Sequence, residues 1–303
     1  MKIITVQSLN NDSIKIFISE SSNTKHPKGV IHIYHGMAEH FGRYKETTNF
    51  FNSIGYHVVG IDHRGHGHWI EGGARPGFFA DKDGWNVVLN DMETAFTEIK
   101  SAYQDLDHFI LAHSMGTWLT LSFLQRGVTP AKVILSASSK LLIPALKIQK
   151  FLLKVFMIFQ KPESTSYISD KLTVAKFNSF FKPNRTTHDW LSRDHKSVDD
   201  YVKSNLCGFI PTHKMYEDLA NGIIKMFSNK QMLKISKDIP LLLIAGDKDP
   251  VGDNGKGVKA LDEFLNGYLS SIKTVILADY RHEILNEVGK EQTLKEISSF
   301  LQS

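Results

Sequence analysis

The chain has 303 residues, of which 42% are hydrophobic, 22% charged and 11% aromatic. That length admits one large domain or two small ones, and the composition excludes a disordered, collagen-like or low-complexity chain. Thirty-six Lys and Arg against 32 Asp and Glu leave a formal charge of +4, with no run of five basic residues, so nucleic-acid binding finds no support. Cys207 is the single cysteine, which excludes an intramolecular disulfide and zinc sites built on several thiolates.

At the N-terminus, MKIITVQSLNND turns polar too soon for a signal peptide. Residues 2–6 and 14–18 flank Asn10, Asn11 and Asp12, the pattern of an antiparallel hairpin. Six nearly continuous apolar runs follow, at 30–34, 57–61, 108–112, 133–137, 241–245 and 274–278. Runs of this length without alternation suit strands buried on both faces of a parallel sheet. The segments between them carry helical spacing. From 83 to 103, Val87, Val88, Asp91, Ala95, Ile99 and Ala102 recur at three- and four-residue steps. Strand–helix alternation predicts an α/β layer architecture.

One connection breaks the rhythm. Residues 138–240 are far more than a crossover needs, and Pro144, Pro162, Pro183 and Pro211 punctuate them. The stretch is rich in helix formers and aromatics, so it predicts an inserted helical subdomain. The domains expected are a core of 1–137 and 236–303 and a helical cap of 138–235. The most apolar segment, 141–159, is interrupted by Lys147, Lys150 and Lys154, too costly for a membrane span. With Lys161 these lysines line one helix face. The expectation is a cap helix with its apolar side on the core, which on opening could touch a lipid surface with its lysines at the head groups. The protein is therefore expected to be cytoplasmic, or peripheral at membranes.

The run HFILAHSMGT (108–117) is an apolar strand, a serine two residues past Ala112, and Gly116 opening an apolar helix. This is the setting of a nucleophile elbow, G-x-S-x-G, with Ala112 in place of the first glycine. The sharp turn that exposes the serine hydroxyl leaves no room for large flanking side chains. The pattern alone recurs by chance, and a serine capping an ordinary helix is its plain alternative. Two further signals decide. Run 241–245 ends in GDKDP, and run 274–278 is followed by DYRHE. They supply carboxylates and a histidine at the C-terminal ends of strands, where open α/β sheets place their sites. The order serine, acid, histidine is that of an α/β-hydrolase.

HGMAEHFGRY (35–44), DHRGHG (62–67), AHSMG (112–116), LSRD (191–194) with Val198 and Tyr201, GDKDPVGDNGKGV (246–258) and RHEILNE (281–287) together carry a resemblance. The chain resembles α/β-hydrolases of the monoacylglycerol lipase and lysophospholipase type over nearly its whole length. The resemblance implies a mostly parallel sheet of about eight strands with helices on both faces. It implies Ser114 as nucleophile, His282 as base and Asp249 as the acid that orients it, leaving Asp247 and Asp253 as turn residues. The backbone N–H groups of Met37 and Met115 are the implied oxyanion donors. Glu39, Arg43 and Tyr201 are implied to line a polar pocket for a glycerol-like leaving group. Glu39 and Arg43 are equally placed to pair structurally at i and i+4. Ser204 and Asn205 stand where such relatives often carry Asp-Pro, so the cap pocket is expected to differ in detail.

His63, His66 and His68 have a histidine-rich look, but H-x-H-x-D-H is absent and the glycine-rich DHRGHGHW suits a loop shaping the site. No metal and no cofactor are expected, nor is there a phosphate loop. The expected partner is a small lipid-like ester. Two alternatives stand beside a serine hydrolase of single-chain esters. One is a short-chain carboxylesterase or thioesterase; the other is a hydrolase-shaped protein that binds ligand without turnover. If the first cap helix covers an acyl tunnel, Phe151 and Phe156 are the side chains expected to govern chain length.

Overall fold

The computed structural model describes residues 1–9, 11–22 and 26–303. Among them, β1 (Lys2–Gln7), β2 (Ser13–Ser19), β3 (Gly29–Tyr34), β4 (Tyr56–Ile61), β5 (His108–His113), β6 (Lys132–Ser136), β7 (Leu241–Gly246) and β8 (Ile272–Leu277) form one sheet, in the order β1-β2-β4-β3-β5-β6-β7-β8. The first two strands are antiparallel to each other and β2 is antiparallel to β4, whereas β4, β3, β5, β6, β7 and β8 all run parallel. The β1–β2 register runs from Lys2 opposite Ile18 to Gln7 opposite Ser13. Its turn holds Asn11 at φ 61°, and Asn10 lies outside the described residues.

Strands β3, β4, β5 and β7 are buried at every position, as continuous apolar runs require. The run at 274–278 behaves differently. Strand β8 has a neighbour on one side only, and Ile272, Thr274, Val275 and Ile276 are half-buried at this sheet edge.

Helices α1 (Lys45–Ser53), α2 (His68–Glu71), α3 (Gly84–Ala102) and α4 (Met115–Leu124) alternate with the strands. Between β6 and β7 come α5 (Ile143–Phe159), α6 (Tyr167–Leu172), α7 (Val174–Ser179), α8 (His195–Lys203), α9 (His213–Met226) and α10 (Asn229–Met232). The chain then adds α11 (Lys256–Leu265) and α12 (Lys290–Gln302). Side chains alternate across the strands, so each sheet face is covered separately. Phe51 of α1 and Leu294, Ile297 and Phe300 of α12 cover Ile31, Ile33, Val58 and Leu111 on one face. Val88 and Met92 of α3, Leu119 of α4 and Leu261 of α11 cover Val30, Ile110, Leu135 and Leu243 on the other. Helix α4 is buried at all ten positions because sheet, α3 and α9 surround it, which explains why it is apolar all round.

The segment between β6 and β7 is not a detached unit. Met215, Leu219, Ile223 and Met226 of α9 join the same core as α3 and α4. Helix α5 meets the expectation in part: Leu153 joins the core with Ile143, Leu146 and Met157 packed against it, but much of its apolar surface does not. Only Leu153 of its residues is buried, and Phe151, Ile158 and Phe159 are 65%, 74% and 82% exposed. Its inner contacts are taken by α9, so most of its apolar surface faces outward.

Candidate active site

Strand β5 ends at His113 and α4 begins at Met115, so Ser114 alone makes the turn, at φ 51° and ψ −120°. A non-glycine residue there costs on the order of 1–3 kcal/mol, and the surroundings hold it in place. The Ser114 N–H donates to the Ser136 carbonyl at 2.9 Å, and the Thr117 hydroxyl donates to the Ser114 carbonyl at 2.6 Å. Gly116 is required by space, because a Cβ there would lie 2.3 Å from the Tyr34 carbonyl oxygen. Ala112 is fully buried, a position where one methyl is tolerated.

Asp249 and His282 leave the ends of β7 and β8 and meet Ser114. His282 Nε2 is 2.9 Å from Ser114 Oγ, and His282 Nδ1 is 2.9 Å from Asp249 Oδ1. A carboxylate can only accept, so Nδ1 carries the proton and Nε2 is free to take one from the serine. Asp249 Oδ1 also accepts from the Val251 N–H at 2.9 Å. Asp247 faces elsewhere and accepts the Asp279 N–H at 2.7 Å, binding one turn to another. Asp253 sits in a turn at φ 47°. Burial pulls the His282 pKa down, but the charge and hydrogen bond of Asp249, with Glu283 and Glu39 behind them, outweigh it and leave the pKa raised.

The loop after β3 carries Met37. Its N–H and that of Met115 have no hydrogen-bond partner among the described residues, and both residues line the cavity beside Ser114. His35 fixes this loop. Its Nε2 accepts the His63 N–H at 2.9 Å, so its Nδ1 must donate to the Gly36 carbonyl at 2.7 Å. A neutral ring is needed for both bonds, and burial lowers its pKa accordingly.

Glu39 is buried and accepts three donors: the Gly36 N–H at 2.6 Å, the Tyr44 hydroxyl at 2.8 Å and the Arg43 guanidinium at 2.9 Å. Burial alone would raise its pKa, yet Arg43 and the nearby histidines bring it down to about 2. Arg43 also binds Glu283, with Nη2 at 2.6 Å from Oε2, and lies 4.7 Å over the Tyr201 ring. Glu39, Tyr201 and Glu283 line the cavity, whereas Arg43 stands behind them.

The cavity has a volume of about 200 Å³. Ser114, His282, Glu39 and Glu283 are among its polar lining residues, with Asp170 and Thr173, and Trp118, Leu146, Phe177, Leu219 and Ile223 among its more numerous apolar ones. Phe151 and Phe156 do not line it, because α5 turns Leu146 and Gln149 inward instead. Sequence reasoning missed three residues here. Trp190 lies against the His282 ring with centroids 4.8 Å apart, and His113 lies on another side at 4.9 Å. Burial, with His282 beside it, pushes His113 down to about 4, so this ring is neutral. Glu283 directly follows His282 in RHEILNE, a signal available in the sequence; Trp190 gave none.

Among the described residues, no group of three His, Cys, Asp or Glu side chains is arranged to hold a metal ion. His66 Nδ1 bonds the Arg64 carbonyl at 2.9 Å and His68 Nδ1 bonds Asp62 at 3.2 Å, so these rings have separate partners. Cys207 is buried, and its thiol is pushed up to about 11 by burial.

A family model described as serine aminopeptidase, S33, matches residues 25–289. The chain is 26% identical over 290 residues to monoglyceride lipase of Mus musculus, covering 91% of this chain and 82% of the mouse protein. It is 25% identical over 281 residues to phospholipase YtpA of Bacillus subtilis, covering 90% and 95% of the two. A highly thermostable carboxyl esterase from Bacillus coagulans, solved in complex with glycerol, superposes with a TM-score of 0.90 at 26% identity, covering 99% and 97% of the two chains. Since the family match takes in β3 to β8 and the segment between β6 and β7, well over half of the chain, the chain belongs to the S33 serine aminopeptidase family of α/β-hydrolases.

Proposed function

We propose that this protein is a serine hydrolase of carboxylic esters with a single acyl chain, acting on monoacylglycerols or lysophospholipids through an acyl-enzyme on Ser114. The observation that carries this reading is the hydrogen-bonded series from Ser114 through His282 to Asp249 in the wall of a largely apolar cavity. Ser114 Oγ attacks the ester carbonyl while His282 Nε2 takes its proton, and Asp249 stabilises the imidazolium. The Met37 and Met115 amides receive the oxyanion. His282 then protonates the leaving alcohol, and water admitted in its place releases the acid by the same route. The acyl chain lies against the apolar lining residues, and the alcohol's hydroxyls face Glu39 and Tyr201, held by Arg43. The mouse monoglyceride lipase, the Bacillus phospholipase and the glycerol-bound esterase support an ester substrate.

Peptide hydrolysis, which the family description raises, fits less well. An aminopeptidase needs a free acid for the substrate's ammonium. Of the three carboxylates in the cavity wall, Glu39 and Glu283 are already bound by Arg43, which leaves Asp170 alone without such a partner cation among the described residues. We further propose that residues 138–235 act as a lid, whose outer face meets lipid. Phe151, Ile158 and Phe159 are exposed on α5 beside Lys147, Lys150 and Lys154, a combination suited to an anionic membrane surface. Among the described residues no helix is long and apolar enough to cross a membrane.

The test is hydrolysis of a panel of monoacylglycerols, lysophospholipids, p-nitrophenyl esters and aminoacyl amides, alongside labelling by a fluorophosphonate. Ser114→Ala should lose both labelling and hydrolysis. Turnover of the amides above the esters would overturn the substrate class.

A further inference from the structure

The ring of His282 is not held by the core alone. The segment 189–193, which lies between β6 and β7, is bonded along its length to 281–287. The Glu283 N–H donates to the Leu191 carbonyl at 2.7 Å, and the Ser192 hydroxyl donates to the Asn286 carbonyl at 3.0 Å. Arg281 donates to the carbonyls of Asp189 and Ser192. Glu287 accepts the N–H groups of Arg193 and Arg281, each at 3.1 Å. These bonds place Trp190 against the imidazole, with planes 31° apart.

Resting on the reading of Ser114, His282 and Asp249 as the reacting groups, we propose that Trp190 is a positioning residue for that reaction: its indole face covers the His282 ring and favours the imidazolium formed when the proton leaves Ser114. The physical basis is attraction between a cation and the negative face of an indole, strongest where water is excluded. Trp190 is 7% exposed and His282 is 3% exposed, so the contact is dry. Simple packing would be met by an apolar side chain, whereas the Trp190 N–H has no partner among the described residues. The other titratable groups facing the ring are Asp249 after β7, Glu39 after β3, Glu283 next in the chain and His113 at the end of β5. The first three favour the imidazolium by charge and His113 opposes it only if protonated, so Trp190 adds a contribution that does not depend on a second ionisation.

The experiment compares Trp190→Leu with Trp190→Phe on dissolved p-nitrophenyl acetate across pH. Both variants are apolar, so both keep water from His282, but only Phe retains a π face. Trp190→Leu should move the acid limb of kcat/KM to lower pH by about half a unit. Its kcat should fall about two- to fivefold. Trp190→Phe should keep the wild-type limb, with kcat within about twofold. Fluorophosphonate labelling of both variants reports that the site remains folded. Coincident limbs in the Leu and Phe variants, or an upward move in the Leu variant, would overturn the proposal. Persistent hydrolysis by Ser114→Ala would instead overturn the underlying assignment of the nucleophile, and the two failures are read separately.

Discussion

The guanidinium of Arg43 grips the carboxylate of Glu283, 240 residues later in the chain, with Nη2 at 2.6 Å from Oε2. Because Arg43 also binds Glu39, one cation joins the loop that carries Met37 to the loop that carries His282. It lies over Tyr201 of α8 as well, so three separate parts of the chain meet on it.

Removing that cation leaves two buried carboxylates without their partner. Arg43→Met should therefore destabilise the fold by about 3–5 kcal/mol, a cost known for breaking buried ion pairs. Glu283→Gln keeps the shape and removes one charge, so it should be milder. Glu283 is one of the charges that raise the His282 pKa, so its loss should move the acid limb of kcat/KM downward. Urea unfolding and pH profiles of both variants measure this. An unchanged limb in Glu283→Gln would mean that the pair serves stability alone.

Activity should rise with pH through a single ionisation above 6.5, the ordinary histidine value. In the proposed mechanism His282 acts as a base only when neutral, and its pKa is raised in the folded protein. The protonated, inactive form thus persists to higher pH than for an isolated histidine. An inflection in kcat/KM below 6.5, measured on a dissolved ester, would contradict this electrostatic account.

Asp249→Asn should lower kcat by on the order of 10⁴, as expected when the orienting carboxylate of a triad becomes an amide. Asp247→Asn should stay near wild type, since Asp247 accepts the Asp279 N–H and the exposed Lys248 ammonium and does not touch His282. A reversed ranking in steady-state assays would reassign the acid.

The two sides of α5 should separate in their effects. Leu146 lines the cavity, and a carboxylate there cannot share a dry pocket with an alkyl tail. Leu146→Asp should reduce kcat/KM for long-chain esters far more than for acetyl esters. Phe151 is 65% exposed, so Phe151→Asp should spare dissolved esters and weaken binding to anionic vesicles. Vesicle sedimentation and a chain-length series distinguish the two, and equal chain-length profiles would remove Leu146 from the acyl site.

The strands and the elbow were legible in the sequence because their signals are local. Continuous apolar runs can satisfy their burial only in a covered parallel sheet, and the turn at Ser114 excludes a side chain at Gly116 within two residues of itself. The choice of Asp249 over Asp247 came from the family resemblance, and in the structure it is Asp249 whose Oδ1 lies 2.9 Å from His282 Nδ1. Which way α5 faces was not legible. A helix that is apolar on most sides does not say which side its neighbours will cover, and α9 covered the one bearing Leu153. The bond of Arg43 to Glu283, and the placing of Trp190 on His282, also belong to the tertiary structure alone. Those last two join residues far apart in the chain, 43 with 283 and 190 with 282, whose meeting is decided by the packing of the whole fold and not by any pattern within the segments themselves.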